Sequence, residues 1–179
     1  MKIYTRAGDK GETSLANGQR ISKASPVIDF LGSLDELNSL IGICVSYLDV
    51  GIKKDFTEEI EVLEAIQSDL FTVGAIAAGA NTSFNSKKEV ENIEKTIDDY
   101  ENLLPKLRNF ILPGGSLQSA YLHNARSLVR KLERDLVALN SPSVMEFSPY
   151  LNRLSDLLFV MARFVNFKLG IKETIWKGR

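Results

Sequence analysis

The chain has a single cysteine and a single histidine among its 179 residues. One cysteine, Cys44, excludes an intrachain disulfide, and with His123 as the lone imidazole no Cys/His zinc site can be assembled. Ser-His-Asp catalysis would hang on that one imidazole, and the Glu-x-x-His pairs of a ferritin-like metal centre are absent. Net charge is scarce as well. The 22 basic and 23 acidic side chains leave a formal charge of −1. That balance argues against a chain whose main work is gripping a nucleic-acid backbone or an anionic membrane. Long hydrophobic runs are lacking. The uncharged stretch from Leu70 to Ser86 is interrupted by Gly74 and Gly79 and ends in polar residues, so it reads as a buried helix and its exit loop. The polar N-terminus lacks the apolar stretch of a targeting segment, and the expected setting is a reducing cytoplasm. Internal repeats, low-complexity tracts and β-alternation of useful length are missing too, apart from a possible strand at Lys2 to Thr5.

What remains is helical periodicity. After Pro26, which suits a first-turn position behind a possible Ser25 N-cap, apolar residues recur every three or four positions. Val27, Phe30, Leu34, Leu37, Ile41, Cys44 and Leu48 form the stripe of a first helix that ends near Asp49. Further helices are expected from about Phe56 to Ala80, Lys87 to Leu104, Ser116 to Leu139 and Pro149 to Leu169, with NSPSVME breaking the chain before the last. Short connections between them predict an all-α, five-helix up-and-down bundle. At this length the chain makes one domain and buries about 70% of its unfolded surface, so no covalent or metal staple is needed. The expected divisions are a polar, glycine-containing segment over 1–25, the bundle over 26–169 and a tail over 170–179.

Several features could carry chemistry. Residues 5–15 combine Gly8 and Gly11 with hydroxyls and cations, a composition suited to phosphate, although GxxxxGK[ST] is absent. Arg20 and Lys23 extend that patch, and the plain alternative is a surface tail. On the fourth helix Arg126, Arg130 and Arg134 fall at about 40°, 80° and 120° from Leu122, with Glu133 near 20°. Spacing alone fits a salt-bridged solvated face. Converging arginines also suit a polyphosphate clamp. Glu133 is expected partly buried beside Arg126 or Arg130, and Asp35 partly buried with a cation partner. His123 reads as a polar surface residue and Cys44 as a small core residue. Phe159 and Phe167 share a second face of the last helix with Asn152, Asp156 and Arg163, which fits an oligomer interface, a large ligand or a bundle-centre position. Phe110-Ile-Leu-Pro-Gly-Gly115 makes a rigid entry to the fourth helix, either as a plug or with Phe110 in a ligand cavity.

Four blocks occur in a characteristic order: Tyr4-Thr-Arg-Ala-Gly-Asp-Lys-Gly-Glu-Thr-Ser-Leu15, Gly32-Ser-Leu-Asp-Glu-Leu-Asn38, Phe110 to Gly115 with Ala125 to Arg134, and Tyr150 to Phe159. Together they make the chain resemble the ATP:cob(I)alamin adenosyltransferases of the propanediol-utilisation type. The resemblance covers nearly the whole sequence. It implies a homotrimer with sites between subunits, and transfer of the 5′-deoxyadenosyl group of ATP to the cobalt of cob(I)alamin with release of triphosphate. It implies that Thr5, Arg6, Gly8, Asp9, Thr13 and Ser14 wrap ATP, with Arg20 and Lys23 adding charge. Arg130, Glu133, Arg134 and Asn152 would complete that site, and Mg²⁺ would be carried mainly by the phosphates. Asp35 and Arg126 match residues that pair across the subunit interface near the corrin. Phe110 matches the aromatic that displaces the lower axial ligand of cobalt. Phe110, Asp35, Arg126 and Arg130 are thus the implied catalytic set. Ala7 departs from the threonine common in the family. A flavoprotein reductase and an adenosylcobalamin-dependent enzyme are the implied partners. A non-catalytic cobalamin carrier or a purely structural bundle are the competing functions; a carrier would be expected to lose the N-terminal loop or the arginines, and both are present.

Overall fold

Pro26 opens the first long helix of the computed structural model, which describes residues 3–4, 6–50 and 55–178. That helix, α1 (Pro26–Asp49), carries Pro26 at its first turn, but the Ser25 hydroxyl makes no cap. The Ser25 carbonyl instead accepts from the Ile28 and Asp29 amides. Next come α2 (Thr57–Ala77) and α3 (Ser86–Leu103), the latter capped by the Asn85 side chain accepting from the Lys88 amide. In α4 (Leu117–Leu139) the Ser116 hydroxyl caps the Ser119 amide, and Asn140 ends the helix in the left-handed region at φ 46°. A one-turn helix, α5 (Pro142–Met145), lies inside the expected break, started by Pro142. The last long helix is α6 (Ser148–Lys168), so the fifth expected helix is the sixth observed.

The five long helices alternate in direction. Ser33 near the start of α1 donates to Asp135 near the end of α4, whereas Gln118 near the start of α4 reaches the Tyr47 carbonyl near the end of α1. Glu133 meets Asn152 and Ser116 meets Asn166, so α4 and α6 are antiparallel. Tyr100 of α3 stacks on Phe164 of α6, and Glu94 pairs with Arg153 one end away, so those helices run parallel. The up-and-down bundle follows. Its core is aliphatic and aromatic: Phe30, Leu37, Ile41, Leu63, Leu122, Leu132 and Leu151 are fully buried. On α6 the face toward α4 and α3 is buried, which is the bundle-centre position, while Phe167 remains exposed.

Strands occur where none were expected. β1 (Glu12–Ser14) and β2 (Arg20–Ser22) pair antiparallel, with Thr13 opposite Ile21 and Ser14 opposite Arg20. Three-residue strands are too short to leave an alternation signal. The expected strand at residues 2–5 is not formed at Ile3 and Tyr4; Lys2 and Thr5 lie outside the described residues. The hairpin turn is docked: the Ala16 amide donates to the Ala78 carbonyl just past α2. Gly79, at φ +82°, leaves room for Asn17, whose Nδ2 would sit 2.7 Å from any Cβ there. Residues 6–23 are therefore not a free tail.

The other end of the bundle holds Phe110 to Gly115. Gly115 has φ +105°, and a Cβ on it would fall 2.4 Å from Asn166 Nδ2. That close approach lets Asn166 accept from the Ser116 amide and donate to the Gly114 carbonyl. Residues 170–178 also return here, and Ile175 bridges Ile111.

Candidate functional site

The arginines of α4 are the centre of the candidate site. Arg126, Arg130 and Arg134 climb one side of the helix, about 14, 20 and 26 Å from its first residue at the α-helical rise. Among the described residues none of the three forms an ion pair, so the salt-bridged face that spacing allowed is not what the fold builds. Arg134 donates to the Arg130 carbonyl at 2.8 Å. Arg126 is half-buried, and its Nε has no hydrogen-bond partner. Burial, and then the neighbouring Arg130 cation, push its pKa below the ordinary guanidinium value. A desolvated guanidinium with an unmet donor and a second cation one turn away is electrostatically costly unless an anion completes it.

Glu133 is half-buried as expected, but its partner is not an arginine. Asn152 of α6 donates to it at 3.2 Å, and Arg153 donates to Asn152 Oδ1 at 2.7 Å. Arg153 is drawn off by Glu94 and Asp156. The helix wheel put Glu133 on the α6 side of α4, so tertiary packing, not the neighbouring turn, supplied the partner. Asp35 departs further from expectation. It is exposed on α1 and has no ion pair within the described chain. Buried Ser33, two residues earlier, takes the inward place and joins Lys131 and Asp135, with Lys131 Nζ 2.7 Å from its hydroxyl.

In the N-terminal hairpin Arg20 is the organiser. It donates to the Ala7 carbonyl at 3.0 Å, the Ser14 hydroxyl at 3.3 Å and Glu12 at 3.2 Å. Gly8 lies against Lys23, whose Nζ would be 3.1 Å from a Cβ at that position. Arg6 adopts φ 60° and places its guanidinium over the Tyr4 ring. Asp9 is exposed and Thr13 half-buried. Arg6, Gly8, Asp9, Thr13, Ser14, Arg20 and Lys23 therefore share one folded hairpin unit; Thr5 lies outside the described residues. Sequence spacing placed these groups near one another but did not show the hairpin that brings Arg20 back onto Ala7.

Phe110 is 79% exposed. It borders a groove of ≈480 Å³ with Leu107, Arg108 and Trp176. Its ring meets Trp176 edge-on at 6.2 Å between centroids. Trp176, in the expected tail, carried no periodic signal by which sequence reasoning could have found it.

His123 is buried, contrary to the surface position expected, because α6 covers that side of α4 with Phe159, 5.9 Å away between ring centres. Burial, then the Arg126 cation, lower its pKa to about 4 against an opposing pull from Glu173. The folded chain thus refuses a proton that the unfolded chain accepts below about 6.5. Stability is expected to fall as pH drops from about 6.5 toward 4, by at most about 3 kcal/mol from this group. Urea unfolding of the native chain and His123→Gln at pH 7 and 4.5 checks this; an unchanged pH dependence in the variant would remove His123 as the cause. Cys44 is buried as expected, and burial pushes its thiol up to about 12, which leaves it inert.

Among the described residues no three His, Cys, Asp or Glu side chains cluster to hold a metal ion, and no helix is long and apolar enough to cross a membrane. The family model for cobalamin adenosyltransferase matches residues 3–165. A cobalamin adenosyltransferase of Cupriavidus metallidurans is 38% identical over 98% of this chain and 94% of its own length. A corrinoid adenosyltransferase of Bacillus subtilis is 41% identical over 97% and 91%. Among solved structures, a variant PduO-type ATP:corrinoid adenosyltransferase of Lactobacillus reuteri, complexed with cobalamin and ATP, superposes with a TM-score of 0.91 at 31% identity over 99% of this chain and 100% of that one.

Proposed function

Because the chain belongs to the cobalamin adenosyltransferase family and is a corrinoid adenosyltransferase, we propose that it joins the cobalt of cob(I)alamin to C5′ of ATP at a site built around the α4 arginines. The observation that carries the assignment is that exposed Arg130 and Arg134, on one side of α4, form no ion pair among the described residues. Cob(I)alamin is its own nucleophile. Its cobalt electron pair forms the Co–C5′ bond as the C5′–O5′ bond breaks, and triphosphate departs with the electron pair of the C5′–O5′ bond. The chain therefore needs no serine, cysteine or histidine nucleophile, in keeping with a buried imidazole and an inert thiol. Its work is to align C5′ with cobalt and to stabilise the charge on the leaving oxygens.

Arg130 and Arg134 take the triphosphate, and Asn152 with Glu133 fixes the neighbouring rim. The hairpin of residues 6–23 covers the nucleotide, with Gly8 giving close backbone approach and the Ser14 and Thr13 hydroxyls donating to phosphate. Magnesium enters as the ATP complex. Phe110 sits under the corrin and keeps the lower axial position free, which favours the four-coordinate cobalt needed for reduction of cob(II).

The assembly is a homotrimer with composite sites. The hairpin lies at one end of the bundle and Phe110 at the other, about 34 Å apart along the 23 residues of α4. The reacting atoms are one bond apart, so neighbouring copies supply complementary parts. Exposed Asp35 and unpaired Arg126 are left for each other across that boundary. Anaerobic mixing of the protein, ATP, Mg²⁺ and chemically reduced cobalamin is expected to convert the cob(I) spectrum to that of adenosylcobalamin with release of triphosphate. Cobalamin binding with no spectral conversion would replace this function by that of a carrier.

A further inference from the structure

The last nine described residues are tied down more firmly than a tail requires, and what they tie is the Phe110 loop. Gly170, at φ +72°, turns the chain back at the end of α6. Glu173 then meets Arg163, a side chain only 4% exposed, at 2.7 Å, and Arg163 also donates to the Pro105 carbonyl at 2.9 Å. One buried guanidinium thus clamps the returning chain and the segment leading into Phe110. Beyond the clamp the two segments pair antiparallel. The Leu112 amide donates to the Thr174 carbonyl at 2.8 Å, Ile111 bridges Ile175, and the Trp176 amide donates to the Phe110 carbonyl at 2.8 Å. The Trp176 ring then stands at 74° against the Phe110 ring. Without this strap, Phe110 would be an exposed side chain on a loop preceding Pro113 and two glycines, free to sample several rotamers.

The geometry points to Trp176 as a positioning residue for Phe110, holding its backbone by a hydrogen bond and its ring by edge-to-face contact, with Arg163–Glu173 as the anchor of the strap. This rests on the proposed role of Phe110 beneath the corrin. An aromatic group excludes an axial ligand only while its ring stays in one orientation, and a restrained rotamer lowers the cost of reaching it. Trp176 itself touches no reacting atom in this scheme.

The test uses the native chain, Trp176→Ala, Trp176→Phe and Phe110→Ala, each first shown to fold and assemble as the native chain does. With ATP and cob(II)alamin bound, electron paramagnetic resonance measures the four-coordinate fraction. Hydrogen exchange measures protection of the Leu112 amide. Trp176→Ala is expected to lower the ratio of four- to five-coordinate cobalt roughly threefold to tenfold, the shift that one edge-to-face pair supplies. It should speed exchange at Leu112 and leave turnover of prereduced cob(I)alamin within about twofold. Trp176→Phe should restore most of both signals, because a smaller ring can still meet Phe110. Unchanged Leu112 protection in Trp176→Ala overturns the inference. So does an unchanged cobalt signal when Phe110→Ala loses it, and so does equal loss with both substrates, which would mark a purely structural strap. If Phe110→Ala keeps the four-coordinate signal while Trp176→Ala loses Leu112 protection, the role of Phe110 under cobalt fails and its positioning by Trp176 stands.

Discussion

Replacing Arg130 with alanine is expected to cut turnover on the order of a hundredfold while leaving the protein folded, in line with loss of one preorganised charge-stabilising group. The residue is exposed, packs into no core and forms no ion pair among the described residues, so the fold has little to lose. The chemistry has much to lose. In the proposed transfer, triphosphate leaves with additional charge on its departing oxygen, and a guanidinium placed there would act more strongly in the transition state than on bound ATP. The defect should therefore fall on kcat with both cob(I)alamin and cob(II)alamin as starting material. Arg130→Lys should recover only part, since a point charge does not reproduce a planar fork. Loss of the Arg130 charge in the alanine variant should also raise the pKa of Arg126, which burial and Arg130 now hold down. Steady-state kinetics with circular dichroism as the fold control decides. A folded Arg130→Ala variant of normal kcat would move the triphosphate site elsewhere.

Phe110→Ala is expected to separate the two cobalt oxidation states. ATP binding should be unchanged, and transfer from prereduced cob(I)alamin should persist, because the bond-forming step needs no lower-face residue once cobalt is reduced. Conversion from cob(II)alamin should fall at least about tenfold, the change in a one-electron equilibrium that corresponds to about 59 mV. The expectation follows from exposure as well as from chemistry. A phenyl ring 79% open to solvent contributes little to folding, yet it is held by two backbone hydrogen bonds in its loop and by the Trp176 ring. Comparing turnover from the two substrates under the same reductant gives the answer. Equal losses would show that Phe110 supports binding or structure and not the redox step.

The helices were legible because their signals are local. The stripe Phe30, Leu34, Leu37, Ile41 and Cys44 marks α1, and Pro26 marks its start, although the expected Ser25 cap does not form. The arginine row was legible for the same reason, since i, i+4 spacing puts side chains on one face. The identity of the site residues came with the four sequence blocks. What those residues touch did not. Glu133 was expected beside an arginine of its own helix and instead meets Asn152, 19 residues on. His123 was expected at the surface and is covered by α6.

By itself, then, the sequence determined the long helix spans, the helical bundle and a surplus of cations on one side of α4. Periodicity, caps and spacing act within a turn or two of chain, so one sequence suffices to read them. Only the tertiary structure decided that those arginines have no ion pairs among the described residues, that residues 12–22 fold back as a hairpin beside the end of α2, and that residues 170–178 return to hold Phe110. Each depends on groups far apart in sequence meeting in space. Whether a charge finds a partner or a loop finds a clamp is a property of packing, which leaves no period along the chain.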